Sequence, residues 1–197
     1  YRERKMLGRL LTDKVFKACD EDLEHSVISF IPNTAEVAYL GLVDGIRKLG
    51  KGEVRAEKLV AKDTKIRTFI SEGESRNNLA AHVYDVTYGV VKEGVDTLVV
   101  IDDSIVRGTQ LKDNVVKLID AGVKEVHMRI ACPPLIYPCK FLNFSTSRSN
   151  FDLYTRRVIR DMEGTSELSE EILQEYVDCN SAKHKEMVNI MCKNMQL

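Results

Sequence analysis

Two adjacent carboxylates, Asp102 and Asp103, follow the all-apolar run Thr97-Leu98-Val99-Val100-Ile101 and precede Ser104-Ile105-Val106-Arg107-Gly108-Thr109. The β-branched run predicts a strand buried on both faces of a parallel sheet. Loops at the carboxyl ends of such strands are where open α/β sheets bind ligands. Residues 110–121 carry Leu111, Val115, Leu118 and Ile119 at helical spacing, with Gly122 as the stop. Backbone N–H groups at the start of that helix, with its dipole, favour an anion such as a phosphate. The carboxylates would repel that phosphate, so their use is to accept hydrogen bonds from vicinal hydroxyls or to hold a hard cation through oxygen. A ribose 5-phosphate satisfies both requirements, with the phosphate on the loop and the hydroxyls on the acids. The competing reading is a surface turn in which Asp102 and Asp103 cap the helix. The full Gly-x-x-x-x-Gly-Lys-Ser/Thr pattern of a nucleotide phosphate loop is absent.

The elements that must position this loop are readable at a coarser grain. Residues 126–131 predict the next strand, so the segment runs strand, tight loop, helix, strand, as in a βαβ unit. Upstream, Ser26-Val27-Ile28-Ser29-Phe30-Ile31 predicts a strand stopped by Pro32, and residues 35–49 a helix ending at Gly50. Residues 3–19 predict one basic amphipathic helix with Met6, Leu7, Leu10, Leu11, Val15 and Phe16 at three-to-four spacing. Residues 57–70 are mixed, with Leu59 and Val60 strand-like, and residues 79–88 fit no single pattern. Residues 150–162, 169–176 and 182–195 predict helices, with Ser166 and Ser181 as caps of the last two. The expected fold is α/β, a parallel sheet with helices on both faces. A domain over residues 1–162 would carry a helical appendage over residues 163–197.

Composition narrows the class. The chain has 197 residues, 29 basic against 30 acidic, with 44% hydrophobic and 30% charged residues, which is globular and argues against a disordered chain. The near-neutral balance lacks the basic excess of a nucleic-acid partner, and no apolar run approaches the ~18 residues of a membrane helix. Five cysteines, odd in number and widely spaced, do not read as a disulfide framework. The opening Tyr1-Arg2-Glu3-Arg4-Lys5 has no apolar leader and does not begin with Met. These features predict a soluble, cytoplasmic unit, processed or excised from a longer chain.

Residues 98–109 resemble the phosphoribosyl-pyrophosphate (PRPP) motif of type I phosphoribosyltransferases. The form Asp102-Asp103-Ser104-Ile105-Val106-Arg107-Gly108-Thr109 is especially similar to the glutamine PRPP amidotransferase family. Other stretches agree in order. Ile31-Pro32-Asn33-Thr34 resembles that family's pyrophosphate loop, Arg67-Thr68-Phe69-Ile70 the start of its flexible loop, and Ala131-Cys132-Pro133-Pro134 with Pro138-Cys139 the strand after the PRPP helix. The resemblance implies that residues Asp102 to Thr109 bind ribose and 5-phosphate, that Pro32, Asn33 and Thr34 bind pyrophosphate, and that magnesium sits at Thr34, Asp102 and Asp103. Lys62, Lys65, Arg67 and Arg76 would serve in a closing catalytic loop.

The implied reaction is transfer of phosphoribosyl from PRPP to ammonia with release of pyrophosphate, the first step of purine synthesis. The ammonia would come from an N-terminal glutaminase half that these residues do not resemble, and the family implies a homo-oligomer, while the charge balance and apolar pattern predict no nucleic-acid or membrane partner. The alternatives are a nucleobase salvage phosphoribosyltransferase and a non-catalytic PRPP-binding regulatory module. The chain departs from the family at Asn33, usually Asp, at Gln110, often Thr, and at Ala61-Lys62-Asp63, where Lys-Asn-Arg is typical. Some members bind an iron–sulfur cluster, with one ligand at the position of Cys139. Cys19, Cys132, Cys179 and Cys192 form no Cys-x-x-Cys pair, so a cluster would need cysteines outside this chain. Cys132 and Cys139 are expected to be buried, inert thiols. His25, His82, His127 and His184 show no zinc spacing.

Overall fold

The computed structural model describes residues 1–62, 84–87, 89–120, 122–141 and 149–195. They fall into two compact units, Tyr1–Ser104 with Asp113–Pro133 and Ile105–Lys112 with Pro134–Leu197.

The first unit opens with α1 (Arg2–Leu10) and α2 (Thr12–Ala18). The single helix expected over residues 3–19 is therefore broken at Leu11. The Leu11 amide closes a tight turn onto the Gly8 carbonyl (3.1 Å), and the Thr12 hydroxyl donates to the Arg9 carbonyl (2.7 Å). A side chain that competes for a helical carbonyl favours such a break. Along the chain follow β1 (Ser26–Phe30), α3 (Glu36–Leu49), β2 (Arg55–Ala56), β3 (Val60–Lys62), β4 (Tyr84–Val86), β5 (Thr97–Asp102), α4 (Thr109–Asp120), whose first four residues belong to the second unit, and β6 (Glu125–Ile130).

Four strands form an all-parallel sheet in the order β2-β1-β5-β6, while β3 and β4 pair antiparallel. The α/β reading therefore holds. Ser26 to Phe30 lie opposite Thr97 to Ile101, and Asp102 lies opposite Ile130. The central strands are buried on both faces, β5 through its run of branched apolar residues and β1 with Ser29 accepting from the Leu59 amide (2.9 Å). Ile28, Phe30, Val99 and Ile101 share one core with Val15, Phe16, Leu42 and Ile46. Val27, Leu98 and Val100, also fully buried, alternate to the opposite face. β1 leads through α3 to β2 on one side, and β5 leads through α4 to β6 on the other. Parallel crossovers are right-handed as a rule, so connections running in opposite directions place α3 and α4 on opposite faces.

Helix α1 lies so close on α3 that a Cβ at Gly8 would overlap the backbone of Ala38, and one at Gly41 the backbone of Lys5. Ion pairs from Lys5 (2.6 Å) and Arg9 (3.5 Å) to Asp44 line the rim of this contact.

The two-residue edge strand β2 is too short to hold by its ladder, and Arg55 ties it down. Its guanidinium donates to the fully buried Asp96 carboxylate (2.7 Å) and to the carbonyls of Glu24 (3.2 Å) and Val90 (3.1 Å). Burial alone would push Asp96 up, but the Arg55 guanidinium and the Lys92 amide (2.7 Å) outweigh it and hold the carboxyl below its usual range. A depressed native value adds stability that is present above pH ~4 and lost as pH falls through the lower native value. Arg55→Ala leaves a buried carboxylate without its cation and is expected to cost about 3 kcal/mol at pH 7. Urea midpoints at pH 7 and pH 3 check this, and the difference between wild type and variant should shrink at the acidic end.

The second unit is built on a 3₁₀ turn (Asn150–Asp152), α5 (Tyr154–Glu163), α6 (Glu170–Val177) and α7 (Ala182–Asn194). Ile136, Val158, Ile159, Leu173, Tyr176, Met187 and Met191 form its core. The expected 163–197 appendage thus shares its core with α5. Ser181 caps α7 by accepting from the His184 amide (3.0 Å), as expected. The cap of α6 is Ser169, accepting from Ile172 (3.4 Å), instead of the expected Ser166. Gly164 already ends α5 in a left-handed turn (φ +68°), and residues 165–169 are needed before the chain can restart as a helix.

Candidate active site

The order β2-β1-β5-β6 creates a switch point between β1 and β5, whose onward connections run in opposite directions. At such a point the two following loops leave a crevice at the carboxyl edge of the sheet, the preferred ligand position in open α/β folds. One loop is Ile31-Pro32-Asn33-Thr34, and the other begins with Asp102-Asp103-Ser104. The structure thus brings the two predicted loops to one sheet edge.

The first loop is pinned at its start by the Ile31 amide, which donates to the Ile101 carbonyl (2.8 Å). The Asn33 carbonyl accepts from the Glu36 amide (3.3 Å), turning the chain straight into α3. Pro32 is buried while Asn33 and Thr34 are exposed, and the Pro32–Asn33 peptide is cis. The N-cap residue of α3, Ala35, makes no side-chain cap hydrogen bond.

The acid pair is held by continuation of the β5–β6 ladder. The Asp102 carbonyl accepts from the Ala131 amide (2.9 Å), and the Asp103 carbonyl from the Cys132 amide (3.0 Å). The Asp103 amide donates to the Asp102 carboxylate (2.8 Å). Both acids are partly exposed. Burial first, and the neighbouring Asp103 charge second, push the Asp102 carboxyl up to about 8. This donor set fits a hard divalent cation, whose charge would offset both opposing effects.

In the second unit, Ile105 packs on the Ile136–Ile159 core. The Val106 carbonyl accepts from the Tyr154 amide (2.7 Å), and the Arg107 carbonyl from Arg157 Nη2 (2.6 Å). Gly108 adopts φ +80°, and a Cβ there would lie 3.0 Å from Tyr154 Cγ. Only glycine combines that dihedral with so close an approach. The motif runs through both units along the chain, and Tyr154 and Arg157, some fifty residues away in sequence, escaped sequence reasoning because no local pattern marks them.

Thr109 opens α4, and Lys62 ends β3, but their side chains lie outside the described residues, as do Lys65, Arg67 and Arg76 altogether. Cys139 is exposed and Cys132 half-buried, so the expectation of two buried thiols is corrected. Both lie beyond the end of β6 at Ile130. Burial and then the Asp103 charge push the Cys132 thiol up. Among the described residues no three His, Cys, Asp or Glu side chains form a metal-holding group, and a four-thiolate cluster does not fit them.

Comparison with known proteins finds relatives both by sequence and by structure. The chain is 34% identical over 182 residues to amidophosphoribosyltransferase 3, chloroplastic, of Arabidopsis thaliana, covering 92% of this chain and 30% of that protein. It is 34% identical over 143 residues to the amidophosphoribosyltransferase of Archaeoglobus fulgidus, covering 72% and 28%. A solved structure of glutamine PRPP amidotransferase from B. subtilis complexed with ADP and GMP superposes with TM-score 0.53 at 28% identity, covering 91% of this chain and 38% of that one. A structure of the allosteric regulatory enzyme of purine biosynthesis gives TM-score 0.55 at 29% identity, covering 86% and 35%. No family model matches. The chain spans about a third of the length of these relatives.

Proposed function

We propose that this chain, which belongs to the amidophosphoribosyltransferase family and has the type I phosphoribosyltransferase fold, transfers 5-phosphoribosyl from PRPP to ammonia. The observation that carries the reading is the Asp102-Asp103 pair at the β1/β5 switch point, running directly into a glycine-bearing loop and a helix start. In this reading Asp102 and Asp103 accept hydrogen bonds from the ribose hydroxyls. Residues 104–109 receive the 5-phosphate on backbone N–H groups. Pro32, Asn33 and Thr34, ahead of α3, receive the pyrophosphate. Asn33 offers that group an amide where the family usually has a carboxylate.

Ammonia forms the new bond at the anomeric carbon as the bond to pyrophosphate oxygen breaks, and the nitrogen then gives up one proton to the departing pyrophosphate or to water. The transition state is oxocarbenium-like, so fixed charge and orientation do the catalysis and no protein nucleophile is needed. Thr34, Asp102 and Asp103 would hold magnesium, which when bound offsets the negative charge on the departing pyrophosphate. Lys62, Lys65, Arg67 and Arg76 are assigned to the loop that closes over PRPP.

A glutaminase part, outside the third of the relatives that this chain spans, would supply the ammonia. The assignment of residues 1–162 as the phosphoribosyltransferase domain, of residues 163–197 as its appendage, and of a homo-oligomeric state belongs to the same proposal. No helix among the described residues is long and apolar enough to cross a membrane. Cysteines without disulfides fit a reducing compartment such as the cytoplasm.

The test is pyrophosphate release from PRPP and magnesium with ammonium chloride or with glutamine. Ammonium should support turnover and glutamine should not, because freeing ammonia from an amide needs an activated nucleophile and an oxyanion hole. A requirement for a nucleobase would point to salvage chemistry, and PRPP binding without turnover to a regulatory module.

A further inference from the structure

We infer that Arg157 is the positioning residue of the phosphate loop: it holds the Arg107 carbonyl so that loop N–H groups face a phosphoryl oxygen. The inference rests on the reading that residues 104–109 bind the 5-phosphate of PRPP. Both terminal nitrogens of Arg157 donate to backbone carbonyls of its own unit. Nη2 donates to Arg107 (2.6 Å), and Nη1 to Phe151 (2.9 Å) and Asp152 (3.2 Å). Its guanidinium carbon lies 5.4 Å from the centroid of the Tyr154 ring, the ring against which Gly108 is laid. The Tyr154 amide holds the preceding carbonyl, that of Val106 (2.7 Å).

Planarity then fixes the other side of the loop. In a trans peptide the C=O of one residue and the N–H of the next point in opposite directions. With the Val106 carbonyl held by Tyr154 and the Arg107 carbonyl by Arg157, the N–H groups of Arg107 and Gly108 are directed away from both donors. Successive amides presented in this way make an anion-binding concavity. Arg157 acts through the loop and touches no substrate, so it is not a catalytic residue. Lysine replaces it only in part, since a point charge on a flexible stem lacks the rigid planar fork that serves these three carbonyls. Its neighbour Arg156 is used differently, buried with Nε on the Ile136 carbonyl (2.6 Å).

The full chain is titrated with ribose 5-phosphate and, separately, with pyrophosphate and magnesium, following calorimetry and backbone amide NMR shifts. In the wild type, ribose 5-phosphate should move the Arg107 and Gly108 amide signals. Arg157→Met should weaken ribose 5-phosphate at least about tenfold, as for hydrogen bonds to a charged group, and Arg157→Lys should fall between. Both variants should bind magnesium pyrophosphate as the wild type does, which also reports that the sheet edge is folded. Equal ribose 5-phosphate affinity in Arg157→Met overturns the role of Arg157 while leaving the site reading intact. Equal loss of both ligands overturns it too, by marking Arg157 as a general structural residue. Unmoved Arg107 and Gly108 amides in the wild type would overturn the site reading itself and this inference with it.

Discussion

Replacing Asp102 and Asp103 together by Asn is expected to weaken PRPP binding in the presence of magnesium by a hundredfold or more. Each carboxylate would lose charge-assisted hydrogen bonds worth about 1.5–3 kcal/mol, so two together give roughly 3–6 kcal/mol. The carbonyl ladder to Ala131 and Cys132 uses only backbone atoms and survives the change. The ligand-free variant should be at least as stable to urea as the wild type, since burial and the Asp103 charge already oppose the ionised form of Asp102. Lost binding with retained stability is therefore the signature. Calorimetric affinity for PRPP that is unchanged in the double variant would remove these acids from the site.

The second large effect falls far from that chemistry. Gly41→Ala adds one methyl group in the interior of α3, where helix propensity alone predicts a gain of about 1 kcal/mol. At Gly41 that methyl overlaps the backbone of Lys5 in α1. Backbone cannot swing aside as a side-chain end can, so α1 must lift from α3. The expected net result is a loss of about 2–4 kcal/mol, at the upper end of overpacking costs. The sign is the informative part, because propensity and packing predict opposite ones. Thermal melting of the variant decides between them, and a raised Tm would show that the helix pair yields without strain.

The acidic loop after β5 was legible because everything that shapes it locally lies within about a dozen residues. A β-branched run prefers a buried strand, two acids end it, and apolar residues at helical spacing follow. The same holds for β1, α3 and the Ser181 cap, where propensity, period and capping agree. The order β2-β1-β5-β6, and with it the switch point that brings Asn33 and Thr34 to the edge bearing Asp102 and Asp103, depends on which strands pair. Pairing is non-local, and β2, two residues long, carries no pattern of its own. The break at Leu11, the choice of Ser169 over Ser166, and the exposure of Cys139 were likewise set by turns and neighbours. Gly8 and Gly41 look like weak points in helices until α1 and α3 meet. Arg157 looks like one charge on an amphipathic helix until its fork closes on the Arg107 carbonyl fifty residues back in the chain. A backbone carbonyl has no sequence signature, so the partner of the Arg107 carbonyl could be chosen only by the tertiary fold.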